Sequence, residues 1–94
     1  MAKLLVSHKF SACVNIVPNI QSVYYWNEEI KIDDEYALII KTVGDKVAAI
    51  FDFIKLHHEY DTPCIFSIKF DDIEKNYGKW IANCLNSDIN DEQS

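Results

Sequence analysis

The chain has 94 residues, of which 49% are hydrophobic, and a formal net charge of −6. This length suits a single domain with a modest core. Its nine basic residues are scattered along the chain, which excludes the basic surface that nucleic-acid binding requires. Because no apolar run approaches the length of a membrane span, we also expect no membrane association.

The three cysteines, Cys13, Cys64 and Cys84, lie far apart and form no C-x-x-C pair. An odd and dispersed set argues against both a disulfide framework and a structural zinc site. Free cysteines are typical of a reducing compartment and usually behave as small apolar residues. We therefore expect a cytoplasmic protein whose cysteines belong to the core.

Residues 1–11 are interpreted as the last turns of a helix, with Leu4, Leu5 and His8 on one side. An intact helix usually begins with a capping residue such as Ser, Thr, Asp or Asn. No such signal precedes Lys3, so we expect the chain to continue upstream of Met1.

Two long strands are predicted next, over Cys13–Trp26 and Ile30–Thr42, with a polar turn at 27–29 between them. Pro18 predicts a bulge or bend in the first strand, because proline interrupts the hydrogen-bonded ladder. The second strand has an unbroken apolar run at 36–40, which indicates burial on both faces. A chain this short has little mass to cover both faces, so we expect a partner subunit to contribute.

The second half of the chain predicts a helix, a third strand and a last helix. The first of these helices has apolar residues at i, i+3, i+4 and i+7, namely Val47, Ile50, Phe51 and Ile54. Residues 63–70 predict the third strand, and Asp71 with Glu74 has the spacing of a capping box at the start of the last helix. The apolar face of that helix comprises Ile73, Tyr77, Trp80, Ile81, Cys84 and Leu85. Residues 1–86 are assigned to one domain and 87–94 to a polar tail.

Five segments carry a resemblance to a known family. They are A-C-V-N-I-V-P at 12–18, S-x-Y-x-W at 22–26, L-I-I-K-T at 38–42, H-x-Y-x-x-P at 58–63 and Y-x-x-W-I at 77–81. In this order and spacing they resemble the CutA family of divalent-cation tolerance proteins over about residues 2–85. Two positions depart from the family pattern: Glu59 replaces its usual proline and Cys64 its usual acid.

The resemblance implies an α+β, ferredoxin-like fold, which is a βαββαβ sandwich, with a long β-hairpin and a C-terminal helix. It also implies a homotrimer assembled through the hairpins. Family members begin with a strand and most of a helix ahead of the 12–18 motif, and that first strand is missing from this chain. In this topology the missing strand is central, so we expect residues 63–70 to have an open, apolar edge.

His57 and His58 are the candidate metal ligands. Imidazoles near acids such as Glu59 and Asp61 suit copper or zinc. In family members that share this pair, copper binding has been attributed to it together with a cysteine on the first strand. Without that cysteine, we expect copper(II) or another divalent metal to bind weakly. The alternative is that His58 hydrogen-bonds within the turn and His57 caps the helix end, where the helix dipole favours it.

Other candidate sites are interpreted structurally. The hairpin carboxylates lack the spacing of a calcium loop and are interpreted as a solvated edge: Glu28, Glu29, Asp33, Asp34 and Glu35. Cys13 as a nucleophile, with His57 or His58 as its base, has no further signature in support. We therefore do not expect an enzyme.

The predicted function is that of a non-catalytic, CutA-like trimer associated with divalent-cation tolerance. The alternative is a signalling trimer that binds a small anionic ligand in clefts between subunits, as the similarly folded PII regulators do. Analogy of fold is the support for this alternative. The lack of a glycine-rich or basic phosphate loop counts against it.

Overall fold

A computed structural model describes residues 1–57 and 64–86, so the predictions for His58, its turn and the tail at 87–94 lie outside the described residues. The elements are α1 (Ala2–Ser7), β1 (Cys13–Trp26), β2 (Glu29–Lys41), a 3₁₀ turn (Gly44–Lys46), α2 (Val47–His57) and α3 (Lys75–Leu85). Helices and an antiparallel sheet therefore occur together, as the predicted α+β class requires.

β1 and β2 form one long antiparallel hairpin whose register runs from Cys13 opposite Lys41 to Trp26 opposite Glu29. The pairing shifts between Val17 and Ile20, which confirms the bulge predicted at Pro18. The strand bounds agree with the sequence prediction to within one residue.

The turn of the hairpin is shorter than predicted, because Glu29 already pairs with Trp26. Its two central residues, Asn27 and Glu28, have positive φ values of 51° and 63°. Two successive residues of this kind define the mirror-image turn that matches the twist of a hairpin. Asparagine adopts this backbone conformation readily, whereas glutamate does so at a cost.

The core lies where α1 and α2 meet one end of the hairpin. Leu5, Ile50 and Ile54 are its buried residues. Half-buried hydrophobic residues surround them, namely Phe10, Val14, Ile40, Phe53 and Ile65. The helical spacing of Ile50 and Ile54 places both on the inner face of α2, which confirms the predicted apolar stripe.

Ser11 joins the end of α1 to both strands. Its side chain is 1% exposed, and its Oγ lies 2.8 Å from the carbonyl oxygens of both Cys13 and Lys41. The same oxygen accepts a bond from the Cys13 N–H at 3.3 Å. Nearby, the Thr42 hydroxyl donates to the Phe10 carbonyl at 2.6 Å. These bonds satisfy buried backbone groups that would otherwise be costly.

The prediction of a strand at 63–70 is wrong for the residues that the structure describes. Residues 64–70 adopt no regular secondary structure, and the sheet of the described chain contains only β1 and β2. A strand is stable only beside a neighbour that accepts and donates its backbone bonds, and the described residues supply none. Ile65 nevertheless packs against the core.

α3 begins differently from the prediction. Glu74 is itself the N-cap residue, and its carboxylate accepts bonds from the N–H groups of Asn76 at 3.0 Å and Tyr77 at 2.9 Å. The predicted box with Asp71 is wrong, because the backbone is still extended at Glu74 and turns helical only at Lys75. These backbone bonds lower the pKa of Glu74 below its usual value.

The inner face of α3 comprises Ile81 and Leu85, which are buried. Tyr77 of the same helix stacks on Trp80, with ring centroids 5.7 Å apart. The Lys41 ammonium lies 5.8 Å from the centroid of the Tyr77 ring, a cation–π contact that joins α3 to the end of β2. No helix of the described residues is long and apolar enough to cross a membrane.

Candidate metal-binding site at the end of α2

His57 is the last residue of α2, and its side chain is exposed. Its Nδ1 lies 2.9 Å from the Phe53 carbonyl oxygen, so Nδ1 carries the proton and donates it to that acceptor. The imidazole also stacks on the Phe53 ring, with centroids 4.3 Å apart. Because Nδ1 is occupied, Nε2 keeps the lone pair with which a neutral histidine binds a metal.

This geometry bears on both interpretations of His57. The bond to Phe53 joins the side chain to the last turn of its own helix, as the capping interpretation describes. The same bond fixes the tautomer and orientation of the ring, as the partners of metal-binding histidines do. The two roles are therefore compatible in His57. His58, Glu59 and Asp61 lie outside the described residues.

A second histidine lies near the Phe53 ring, and the sequence analysis did not connect it with this site. His8, which follows α1, has its ring centroid 6.0 Å from that of Phe53, and Phe10 lies 5.2 Å from it. Only the packing of α1 against α2 brings residues so distant in sequence together, so no local signal could have indicated it. Among the described residues, no three His, Cys, Asp or Glu side chains are grouped closely enough to hold a metal ion.

The cysteines fit the sequence interpretation in two cases out of three. Cys13 and Cys84 are half-buried, and all three thiols are free. Cys64 is exposed, so its assignment to the core is wrong. It follows directly on the segment outside the described residues, and its neighbour Ile65 takes the inward position instead.

The acidic side chains of the hairpin are exposed, as predicted for a solvated edge. Two of them accept bonds from hydroxyl groups on the facing strand: Ser22 donates to Glu35 at 3.0 Å, and Tyr24 donates to Asp33. These bonds tie the two strands together and occupy carboxylate oxygens. They therefore give the carboxylates a structural role.

The half of the hairpin next to the turn has one apolar face. Val23 pairs with Ile32, and Tyr25 pairs with Ile30. These four side chains are between 61% and 72% exposed. Further along β2, Tyr36 is 73% exposed. The burial on both faces that the sequence indicated is therefore not achieved by a single copy of the chain.

Comparison with known proteins finds relatives that match most of this chain. The sequence model of the CutA1 family, described as "CutA1 divalent ion tolerance protein", matches residues 1–84. Among curated relatives, the chloroplastic Protein CutA 1 of Oryza sativa subsp. japonica is 39% identical over 83 residues, which are 88% of this chain and 47% of the relative. The chain thus spans about half the length of that relative.

Solved structures agree with this match. The crystal structure of the divalent ion tolerance protein CutA1 from Ehrlichia chaffeensis has a TM-score of 0.84 and 37% identity, covering 89% of this chain and 78% of that one. The periplasmic divalent cation tolerance protein CutA from Archaeoglobus fulgidus has a TM-score of 0.86 and 39% identity, covering 89% and 81%. This likeness confirms the predicted ferredoxin-like α+β class. The departure lies at residues 64–70, where the described chain does not form the predicted strand.

Proposed function

The chain belongs to the CutA1 divalent ion tolerance protein family, and from this premise we propose that it acts in the tolerance of divalent cations. The observation that carries the proposal is the family match over residues 1–84. A direct test is to replace the CutA protein of a bacterial host with this chain and to measure growth in rising copper(II). Growth equal to that of the empty-vector strain at every concentration would contradict the proposal.

The proposed site for copper(II), or another divalent metal, is formed by His57 and His58. Its support is the His57 imidazole, which is oriented by Phe53 and keeps Nε2 for a ligand bond. Imidazole nitrogen suits copper and zinc. Two protein ligands without further donors make a weak and poorly selective site, which agrees with a protein that responds to excess metal.

Calorimetric titration with copper(II) tests this site. We expect the wild-type chain to bind and the double variant His57→Ala, His58→Ala to lose binding. His8→Ala is the matched control, because it removes an imidazole that contacts the same Phe53 ring. Unchanged affinity in the double variant, or equal loss in the control, would contradict the assignment.

We further propose that the chain forms a homotrimer through its hairpins. The support is the apolar face made by Val23, Tyr25, Ile30 and Ile32, which a single copy leaves exposed. Contiguous exposed apolar surface of this kind marks interaction sites in soluble proteins.

Light scattering at micromolar concentration tests the assembly. We expect a trimer for the wild type and a monomer for the double variant Tyr25→Ser, Ile30→Ser. Lys31→Ser, on the opposite face of the same strand, is the control and should stay trimeric. A wild-type chain that is folded and monomeric would overturn the proposal.

We infer that the protein is not an enzyme and that it works in the cytoplasm. The three free, dispersed cysteines support a reducing location. Location differs among the relatives, since the rice protein is named chloroplastic and the archaeal one periplasmic, so cell fractionation is the test.

No observation favours the PII-like alternative, and a nucleotide-binding screen beside the metal titration would reveal it.

A further inference from the structure

One polar pair interrupts the apolar face of the hairpin. Because side chains alternate along a strand, Asp34 shares a face with Ile32 and Tyr36, which are 61% and 73% exposed. Gln21 lies directly opposite Asp34 on β1. It therefore points to the same face as Val23, which is 63% exposed. Two polar side chains thus lie together in a surface that is otherwise aliphatic and aromatic.

Asp34 differs from the two acids beside it. Asp33 and Glu35 lie on the opposite face of β2 and accept bonds from hydroxyl groups of β1. In the part of the chain that the structure describes, neither Asp34 nor Gln21 has a hydrogen-bond partner. Because both side chains are exposed in a single copy, their polar groups are hydrated only as long as this face stays open.

We propose that Gln21 and Asp34 fix the alignment of the hairpins in the homotrimer, with the Gln21 amide of one copy donating to the Asp34 carboxylate of the next. The inference rests on the proposed trimer, which would cover this face and remove its water. A covered carboxylate needs donors in place of that water. The two N–H bonds of a glutamine amide point in different directions. One can therefore reach the carboxylate of its own copy while the other reaches that of the neighbour, and three copies close into a ring.

The cost of a mismatch defines the alignment. A shift of one copy by two residues along a strand would bring Asp34 against an apolar or aromatic side chain, because Val23, Ile32 and Tyr36 occupy the flanking positions of this face. The carboxylate would then be covered without its donor. A lone polar residue in an apolar coiled-coil interface fixes register and the number of strands in the same way, at a cost in stability. The pair therefore selects one assembly among those that the apolar residues alone would allow.

Sedimentation velocity over a range of concentrations tests the pair. Gln21→Leu leaves the Asp34 carboxylate covered without its donor, so we expect the concentration at which half of the trimer dissociates to rise by about tenfold or more. Ser22→Leu, one residue away on the opposite face, is the matched control and should dissociate like the wild type. Tyr36→Phe removes a hydroxyl donor from the same face and should also match the wild type.

The outcomes separate this inference from the homotrimer itself. A trimeric wild type with an unaffected Gln21→Leu, or with equal weakening in either control, would overturn the role of the pair and leave the homotrimer standing. A folded, monomeric wild type would overturn both. The double variant Gln21→Leu, Asp34→Leu tests the alignment: we expect it to associate at least as tightly as the wild type, but as a mixture of assemblies. A double variant that forms a single trimeric species would also contradict the proposal.

Cross-linking tests the contact between copies on folded protein. In chains whose three native cysteines are replaced by serine, Gln21→Cys and Asp34→Cys are made separately, mixed in denaturant and refolded together. We expect a short thiol-reactive cross-linker to join the two kinds of chain, because these positions face each other between copies. Gln21→Cys mixed with Asp33→Cys is the control and should give no link, since Asp33 lies on the opposite face. Circular dichroism checks that each mixture is folded. A trimeric mixture of Gln21→Cys and Asp34→Cys that forms no link would overturn the proposal.

Discussion

The two ends of the hairpin differ in how their apolar side chains are covered. In the hairpin base, which comprises residues 13–17 and 37–41, Val14 and Ile40 pack against the core. In the distal hairpin, residues 20–35, Val23 and Ile32 are more than 60% exposed. What differs is the presence of α1 and α2 over the base, so the fold of a single copy depends on the base. The apolar face of the distal hairpin stays exposed in a single copy, as the proposed homotrimer requires.

The polar bonds of the two halves differ in the same way. Ser11 is buried at the base and bonds to the backbone of both strands. In the distal hairpin, the bond between Ser22 and Glu35 is exposed. Exposed polar pairs contribute little to stability, whereas a buried polar group costs free energy whenever it loses its partner. Both kinds of interaction therefore place the stability of a single copy at the base.

Of the variants proposed here, Leu5→Ala should cause the largest loss of stability. Leu5 is 0% exposed, so its truncation should lower the free energy of unfolding by about 2–5 kcal/mol. Leu4→Ala is the matched control, because Leu4 is the adjacent residue and is 42% exposed. We expect the control to change stability by less than about 1 kcal/mol. Urea denaturation measures both, and equal losses would contradict a core centred on Leu5.

Ser11→Ala tests the polar part of the base. The change removes a buried hydroxyl that serves the backbone of Cys13 and Lys41, so we expect a loss of about 1–3 kcal/mol. Ser7→Ala removes an exposed hydroxyl that donates to Leu4 at 3.2 Å and should stay within about 0.5 kcal/mol of the wild type. If thermal or urea denaturation finds the two variants alike, water replaces the Ser11 bonds and the base is less closed than described.

Local patterns in the sequence predicted the features that depend on local interactions. Two apolar runs joined by a polar turn located the hairpin, Pro18 located its bulge, and helical spacing located the buried face of α2. The strand at 63–70 could not be predicted correctly from its composition, because strand formation depends on a neighbour. The N-cap was misplaced by three residues, since Asp71 and Glu74 have equally suitable side chains and only the backbone distinguishes them.

The candidate site was predictable to a smaller extent. His57 was recognised from its place beside His58 at the end of an amphipathic helix. Its bond to the Phe53 carbonyl follows from the i, i−4 spacing within that helix. The proximity of His8 to the same ring depends on how α1 packs against α2. Such a contact is tertiary and leaves no mark in a single sequence.

Glu28→Gly tests the backbone strain at the turn of the distal hairpin. Glu28 has a φ of 63°, where an L-residue costs about 1–2 kcal/mol and glycine is free of strain. Glycine loses more backbone entropy on folding, so we expect a net gain of about 0.5–1 kcal/mol. Glu29→Gly, in a regular strand position, is the control and should be destabilising. A gain in both variants would indicate that charge at the turn, rather than backbone strain, is responsible.

Glu74→Gln should have the smallest effect on the free energy of unfolding, and this effect should depend on pH. α3 contacts the hairpin base through Tyr77, which lies beneath the Lys41 ammonium, so the start of this helix extends the stable region. The carboxylate of Glu74 accepts two backbone bonds, and these lower its pKa in the folded chain. The charged form is thus favoured by folding.

The sign of the effect follows from linkage. A lowered pKa in the folded state contributes stability above the usual carboxyl value of 4.5, and that contribution is lost as the pH falls through the lower, folded-state pKa. The difference in free energy of unfolding between wild type and Glu74→Gln should therefore be constant near neutral pH and shrink below that value. Lys79→Gln, which changes charge further along α3, is the control. Urea denaturation by circular dichroism at several pH values measures both. If the difference in free energy of unfolding between wild type and Glu74→Gln is unchanged at the lowest pH, the Glu74 side chain caps the helix through its shape and not through its charge.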